Sequence, residues 1–138
     1  MKVTQKYLNE LTYKIIGCAI EVHKHLGPGL LESVYAKCFI KELALKGIEY
    51  KTQLRLPIEY KGVLLEAELR LDVLAENNIL IELKAIDTVL PVHHAQVLTY
   101  MKLMQKPKGI LINFNCMNIF KDGQKTFVNE LYKSLPAK

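Results

Sequence analysis

The sequence predicts an α/β fold, a mixed β-sheet flanked by helices in the order α-α-β-β-β-α-β-β. Three observations lead there. Apolar residues recur at three- and four-residue steps from Thr4 to Lys46, as on helix faces. From Ile48 to Ala85 they alternate with period two, as on strands. A second helical stretch, opened by Pro91, then separates these strands from the continuous apolar run Gly109–Phe114.

The first helix is expected over Thr4–Leu26, with Leu8, Leu11, Ile15, Ala19, Val22 and Leu26 as its apolar stripe and Thr4 as N-cap. Gly27-Pro28-Gly29 stops it and starts a second helix, about Leu30–Lys46, closed by Gly47. Val34, Tyr35, Cys38, Phe39 and Leu43 mark the inner side of that helix. Ile48–Tyr60 reads as a strand in which Pro57 signals an edge or a bulge. Lys61-Gly62 turns into Val63–Ala75, and Asn77-Asn78 turns into Ile79–Ala85. The third helix runs over about Val92–Gln105, before Pro107 and Gly109. Gly109–Phe114 is expected to be a strand buried on both faces. Ile119–Val128, with Asp122-Gly123 inside it, reads as a second short hairpin, and Asn129–Lys138 as a short helical or frayed tail.

The hairpin Leu69–Ala85 carries the chemistry. Leu71, Val73, Ala75, Ile79, Ile81 and Leu83 fall on one face, which must be core; Asp72, Glu82 and Lys84 fall on the other. Two carboxylates supply hard oxygen ligands for a divalent cation. A nearby lysine can orient or deprotonate a water, or steady a phosphate. The trio suits metal-assisted hydrolysis of a phosphodiester.

An Asp followed by Glu82-Leu83-Lys84 on the next strand resembles the PD-(D/E)XK nuclease superfamily. Gly29-Leu30-Leu31-Glu32-Ser33-Val34-Tyr35 is similar to the signature of its small GxxExxY family. Gln96-Val97-Leu98-Thr99-Tyr100 is similar to the QxxxY helix of the RecB-like branch. Leu71 stands where the namesake proline would precede the aspartate. The resemblance spans about Ile15–Phe127 and implies a restriction-endonuclease-like core. It implies Asp72 and Glu82 as ligands of Mg²⁺ or Mn²⁺, with the Leu83 carbonyl as a further ligand and Lys84 positioning the attacking water. It also implies Glu32 as a metal ligand or outer group, Gln96 as a hydrogen-bond donor to substrate phosphate or a water at the metal, and Tyr100 as a support.

Each residue has a plainer reading. Asp72, Glu82 and Lys84 could be a solvated strand face with cross-strand charge pairs. With Gly29 as N-cap, Glu32 would sit at the third helical position and serve the helix amides. Tyr35 reads as a packed ring with a bonded hydroxyl. Val97, Leu98, Met101 and Met104 form the expected core stripe of the third helix; His93, Gln96 and Tyr100 form a polar stripe beside it. The pairs His93/His94 and His23/His25 diverge on their helices and cannot chelate, leaving one of His93 or His94 as a minor ligand at most. Asn113 and Asn115 read as turn formers.

Composition narrows the classes. With 138 residues, half of them hydrophobic, the chain reads as a single domain over 1–138 able to bury a core. No apolar run reaches the ~20 residues of a membrane span, and the N-terminus has no signal-peptide region, so a cytoplasmic protein with no membrane partner is expected. The net charge of +5, with scattered lysines and only Arg55 and Arg70, permits nucleic-acid binding, DNA or RNA, without base-specific arginine readout. Cys18, Cys38 and Cys116 are too few and too far apart for structural zinc or an iron–sulfur cluster.

The hydrophobic pattern also selects a register. A three-residue loop, Glu76-Asn77-Asn78, pairs Ala75 with Ile79, Val73 with Ile81, Leu71 with Leu83, Asp72 with Glu82 and Arg70 with Lys84. It requires Asn77 or Asn78 in the left-handed region. The reading is therefore a metal-dependent nuclease. Its rivals are a non-catalytic nucleic-acid or protein-interaction module that keeps the fold, and a homodimer or subunit of a larger complex.

Overall fold

The computed structural model describes residues 2–138. Its elements follow the expected order: α1 (Gln5–Leu26), α2 (Glu32–Leu45), β1 (Tyr50–Tyr60), β2 (Val63–Ala75), β3 (Ile79–Lys84), α3 (Pro91–Met104), β4 (Lys108–Asn113), β5 (Gln124–Val128) and the one-turn α4 (Glu130–Lys133). The five strands form one sheet in the order β1-β2-β3-β4-β5. β3 and β4 run parallel, and all other neighbours antiparallel. α3 is the crossover that a parallel pair needs.

Helices cover both faces. Val73, Ala75, Ile79, Ile81, Leu83, Ile110 and Ile112 meet Leu8, Ile15, Ala19 and Val22 of α1 and Tyr35, Phe39 and Leu43 of α2. Leu71, Leu80 and Leu111 meet Val97, Tyr100 and Met101 of α3 on the other side. The strand face expected to hold only polar site residues is thus a second core layer, and β3 is buried along nearly its whole length.

Local chemistry sets the element ends. Thr4 caps α1, its hydroxyl accepting from the Tyr7 amide at 3.0 Å. Gly27, at φ 71°, ends it. Pro91 opens α3, where its missing N–H costs nothing. The irregularity expected at Pro57 is a register shift between Pro57 and Glu59.

Several expectations are corrected. α2 starts at Glu32 with Leu31 as N-cap, so Glu32 occupies the first helical position, not the third. Val34 and Leu98 are exposed rather than core, because α2 and α3 each bury a narrower stripe. Ile119–Asp122 is not a strand: Ile119–Gly123 is a π-helical turn, and β5 pairs directly with β4. Asn118 causes this, its side chain accepting from the Lys121 amide at 2.9 Å and its carbonyl from the amides of Asp122 and Gly123. Of the two alternatives for the C-terminal tail the short helix is the one observed, α4, and the segment after it is docked: the carbonyls of Pro136 and Ala137 accept the Gln5 and Lys6 amides at 2.8 and 3.0 Å. No helix among the described residues is long and apolar enough to cross a membrane.

Gly109 lets α3 lie close on β4. A Cβ there would stand 2.7 Å from Met101 Sδ and 2.8 Å from Val97 Cγ1. Gly109→Ala should destabilise the fold by about 1–3 kcal/mol, as overpacking does, and Met101→Ala should recover part of that in the double variant. Urea denaturation of the four proteins checks the coupling; strictly additive losses would contradict it.

Lys108 is 4% exposed. Its Nζ donates to Asn9 Oδ1 at 2.8 Å and lies 5.4 Å from the Tyr132 ring centroid. Burial pushes its pKa down to about 8. From pH 8 to the ordinary lysine range the unfolded chain holds a proton that the folded chain lacks, so stability rises with pH there. Between pH 7.5 and 10 the wild type should gain on the order of 2 kcal/mol relative to Lys108→Met. Parallel pH profiles in urea melts would show that Lys108 is not the group responsible.

Candidate active site

The β2–β3 turn places the site. Glu76 (φ 49°) and Asn77 (φ 59°) take the left-handed conformation. Asn78 N donates to the Ala75 carbonyl at 3.0 Å, and its side-chain amide to the Glu76 carbonyl at 2.8 Å. The register that follows is the expected one, Ala75 opposite Ile79 and Val73 opposite Ile81.

The ladder then stops, and side chains replace it. Asp72 N donates to Glu82 Oε1 at 3.3 Å, while Leu83 N donates to Asp72 Oδ2 at 2.8 Å. Each carboxylate satisfies an amide of the opposite strand. The expected pairings Leu71–Leu83 and Arg70–Lys84 are therefore not made; the latter would also have set two cations face to face. Leu71 packs in the α3 layer with Leu80, whereas Val73 packs in the α1/α2 layer. Strict alternation would keep these two together. The alternation breaks at Asp72, opposite Gln53 of β1, which is itself at φ 50°.

Burial governs the electrostatics. Glu82 is 4% exposed. Burial first, then the charge of Asp72, push its pKa up to about 8, against the opposing pull of the Asp72 amide and Lys84. Burial also raises Asp72, with the Leu83 N–H and Lys84 opposing. Glu32 is raised by burial and then by Asp72, and lowered by Lys84. Thus α2 does bring Glu32 toward Asp72, Glu82 and Lys84. It makes no hydrogen bond to its own helix amides, so the capping role is not realised. Neither does it close a compact cluster: among the described residues no three His, Cys, Asp or Glu side chains gather tightly enough to hold a metal ion.

Tyr35 explains how Glu32 comes to be there. Its hydroxyl donates to the Gly27 carbonyl and accepts from Leu30 N at 3.1 Å, which pins the turn before α2. The ring is fully buried and stacks on Phe114, centroids 4.6 Å apart and 4° from parallel. The packed-ring reading of Tyr35 fits this geometry.

Asn113 is the residue that sequence reasoning undervalued. It lies beside Lys84 on β4 and is buried. Its Oδ1 accepts from Ile86 N at 3.0 Å and its Nδ2 donates to the Ile86 carbonyl at 2.9 Å. Phe114 N donates to the Lys84 carbonyl at 2.9 Å, and Asn115 Nδ2 to Asp87 Oδ1 at 3.0 Å. The segment from Lys84 to Asp87 is clamped to the end of β4 by three successive residues, Asn113, Phe114 and Asn115. A signal was present in the sequence: a polar residue directly ending an apolar run must find internal partners.

On α3, Gln96 Nε2 donates to the Tyr100 hydroxyl at 2.9 Å. The Tyr100 ring is buried in the layer that holds Leu71 and Leu80, so it belongs to the core rather than to a polar stripe. Neither side chain bonds to Asp72, Glu82 or Lys84. The histidines are engaged elsewhere: His93 Nδ1 accepts from Leu90 N at 2.8 Å, and His94 sits edge-on to Phe127 at 5.4 Å. Neither acts as a minor ligand in this arrangement.

The donor set fits a divalent cation. Two adjacent carboxylates, both pushed toward protonation, lack a counter-charge that a hard dication would supply, and magnesium commonly takes only one or two protein carboxylates. The largest cleft, about 590 Å³, lies between α1 and the C-terminal tail and holds none of these residues. Removing the Asn113 clamp should loosen the site from behind. Asn113→Ala leaves the Ile86 N–H and carbonyl unpartnered and should cost about 1–3 kcal/mol, with faster amide exchange at Ala85 and Ile86. Unchanged exchange there would show that the clamp is held by other bonds.

No curated protein and no solved structure gives a significant match to this chain. Comparison with protein families matches residues 9–127, most of the chain, including Glu32, Asp72, Glu82, Lys84, Gln96 and Tyr100. With that span of agreement and a five-stranded mixed sheet flanked by helices, the chain belongs to the PD-(D/E)XK nuclease superfamily.

Proposed function

We propose that this chain is a divalent-metal-dependent nuclease of the GxxExxY kind, with a RecB-like QxxxY helix, acting as one cytoplasmic domain on phosphodiester bonds of DNA or RNA. Nucleases of the superfamily generally use divalent metals, and membership implies nucleic-acid binding. The observation that carries the reading is the interlocked pair of half-buried Asp72 and buried Glu82, with Lys84 on the same strand as Glu82. The three free thiols fit a reducing compartment.

Asp72 and Glu82 would hold Mg²⁺ or Mn²⁺, with Glu32 approaching as an outer ligand. Bound there, the ion supplies positive charge that draws in a phosphodiester and offsets charge developing on its oxygens. Lys84 holds a water against the phosphorus by donating a hydrogen bond to it, or steadies a phosphate oxygen. The clamp on Ile86 and the Phe114 bond fix the backbone from which Lys84 projects. Gln96, with one amide hydrogen on Tyr100, keeps the other for a substrate phosphate. Tyr100 and Tyr35 are positioning residues: one braces α3 against the strands, the other fixes the turn that aims Glu32.

The test is Mg²⁺- and Mn²⁺-dependent cleavage of single- and double-stranded DNA and RNA. Lys84→Ala should lower turnover by ~10²-fold or more while retaining Mn²⁺ binding. Asp72→Ala and Glu82→Ala should each abolish the heat of Mn²⁺ binding in calorimetric titration. Wild-type metal affinity in both carboxylate variants would remove the assignment. Nucleic-acid binding without cleavage under any metal would favour the non-catalytic module.

A further inference from the structure

The end of the sheet that carries Lys84 has a second feature. β4 ends at Asn113, beside Lys84, and the chain continues through Phe114–Asn118 into the π-helical turn. The turn buries Ile119 but leaves Phe120 64% and Met117 85% exposed. Between these two side chains and the last turns of α1 lies a cleft of about 250 Å³, lined also by Ile20, His23 and Lys24. His23 Nε2 donates to the Cys116 carbonyl at 2.7 Å, which ties α1 to this loop and leaves Nδ1 as an acceptor. No carboxylate lines the cleft; Asp122, in the same turn, lines a different one with His94 and Lys125.

The loop that lines the cleft and the proposed catalytic end share one stretch of chain, Asn113 to Phe120. Phe114 N bonds to the Lys84 carbonyl, and the Phe114 ring stacks on Tyr35, whose hydroxyl fixes the turn leading to Glu32. An exposed aromatic ring, a thioether, an imidazole acceptor and a lysine suit a flat apolar body with polar edges and a nearby negative charge. A nucleobase on its phosphate backbone has that chemistry. Paired bases keep both faces stacked inside the duplex, so only an unpaired base can offer a face to Phe120. The shortage of arginine and absence of tryptophan fit stacking without base-specific readout.

We propose that the Phe120–Met117 cleft stacks an unpaired base of the strand being cleaved, so that the substrate is single-stranded nucleic acid. This rests on the nuclease reading above. Binding is measured without turnover, by fluorescence anisotropy in EDTA, with labelled oligo(dT), oligo(U) and a DNA duplex. The wild type should prefer the single strands. Phe120→Ala should weaken their binding about 5- to 100-fold, while Tyr13→Ala, which removes an exposed ring on α1 outside the cleft, should leave it within twofold. Because the chain has no tryptophan, Phe120→Trp supplies a single tryptophan that can be excited apart from the tyrosines; its emission should be quenched on adding oligo(dT) or oligo(U). Equal quenching by both assigns recognition to the base and phosphate; quenching by one alone adds a requirement for that nucleotide's sugar or for the methyl group that distinguishes thymine from uracil. A wild type that binds single strands while Phe120→Ala is unaffected, or Phe120→Trp stays unquenched, overturns this inference alone. Preference for duplex also overturns it. A wild type that binds no nucleic acid in any form overturns this inference, while the nuclease reading stands or falls separately on the metal-dependent cleavage assay.

Discussion

The structure depends on two carboxylates buried where a β-ladder would otherwise continue. Asp72 and Glu82 each take the amide of the strand opposite, so the backbone hydrogen bonds lost at this point are replaced by charged acceptors. No buried side-chain nitrogen or oxygen among the described residues is left without a partner. Desolvation then acts on both groups; the charge of Asp72 raises Glu82 further, while a hydrogen bond with Glu82 lowers Asp72. Keeping them in place requires β3 to be central, fixed by the parallel β4 on one side and by β2 up to Val73 on the other. It also requires helices on both faces, which is why the layer above Leu80 is a core and not an open surface.

The hairpin was legible because period two and core burial leave one register, and because the loop needs left-handed residues. Asn77 supplies one of them. Glu76 supplies the other, which residue preference alone would not select. The break in alternation after Leu71 was not legible: nothing local distinguishes Leu71 from Val73, and their separation follows from the side chains of Asp72 and Glu82 taking over the ladder. The two-sided burial of Gly109–Phe114 was readable, because a run without polar alternation has no face for water. The turn at Ile119 was misread for the opposite reason. Its apolar residues resemble a strand, but Asn118 offers local acceptors that wind the chain before a strand can pair.

The site residues divide in the same way. Asp72, Glu82 and Lys84 were recognisable as a pattern on adjacent strands. Glu32 and Gln96 required motif spacing, and spacing says nothing about how their elements sit against the hairpin. What sets Glu32 is a tertiary chain of contacts: Phe114 under Tyr35, and the Tyr35 hydroxyl on the Gly27–Leu30 turn. What sets Lys84 is Asn113, 29 positions later in the sequence but its neighbour in the sheet. Both devices use one polar side chain to bind backbone groups that have left regular structure, and both lie where β3 and β4 end.

Comparison of the buried charges distinguishes a structural group from one suited to chemistry. Lys108, at the opposite end of β4, meets neutral partners, the Asn9 amide oxygen and the Tyr132 ring, and no like charge contributes to its lowered pKa. Its cost is desolvation alone, and α1 and the C-terminal segment cover it. At the other end, a structural solution was within reach: Lys84 could have paired closely with one carboxylate and neutralised it. Instead Lys84 acts on Asp72, Glu82 and Glu32 together without forming an ion pair within 4 Å of any of them. Glu82, its pKa pushed up to about 8, favours its protonated form at neutral pH beside Asp72, and a dication would take the place of that proton. A solvated strand face would not bury these carboxylates, and a stabilising network would not leave them short of positive charge. A site that completes its electrostatics with a dication would do both, and that imbalance is what separates Asp72 and Glu82 from ordinary cross-strand acids.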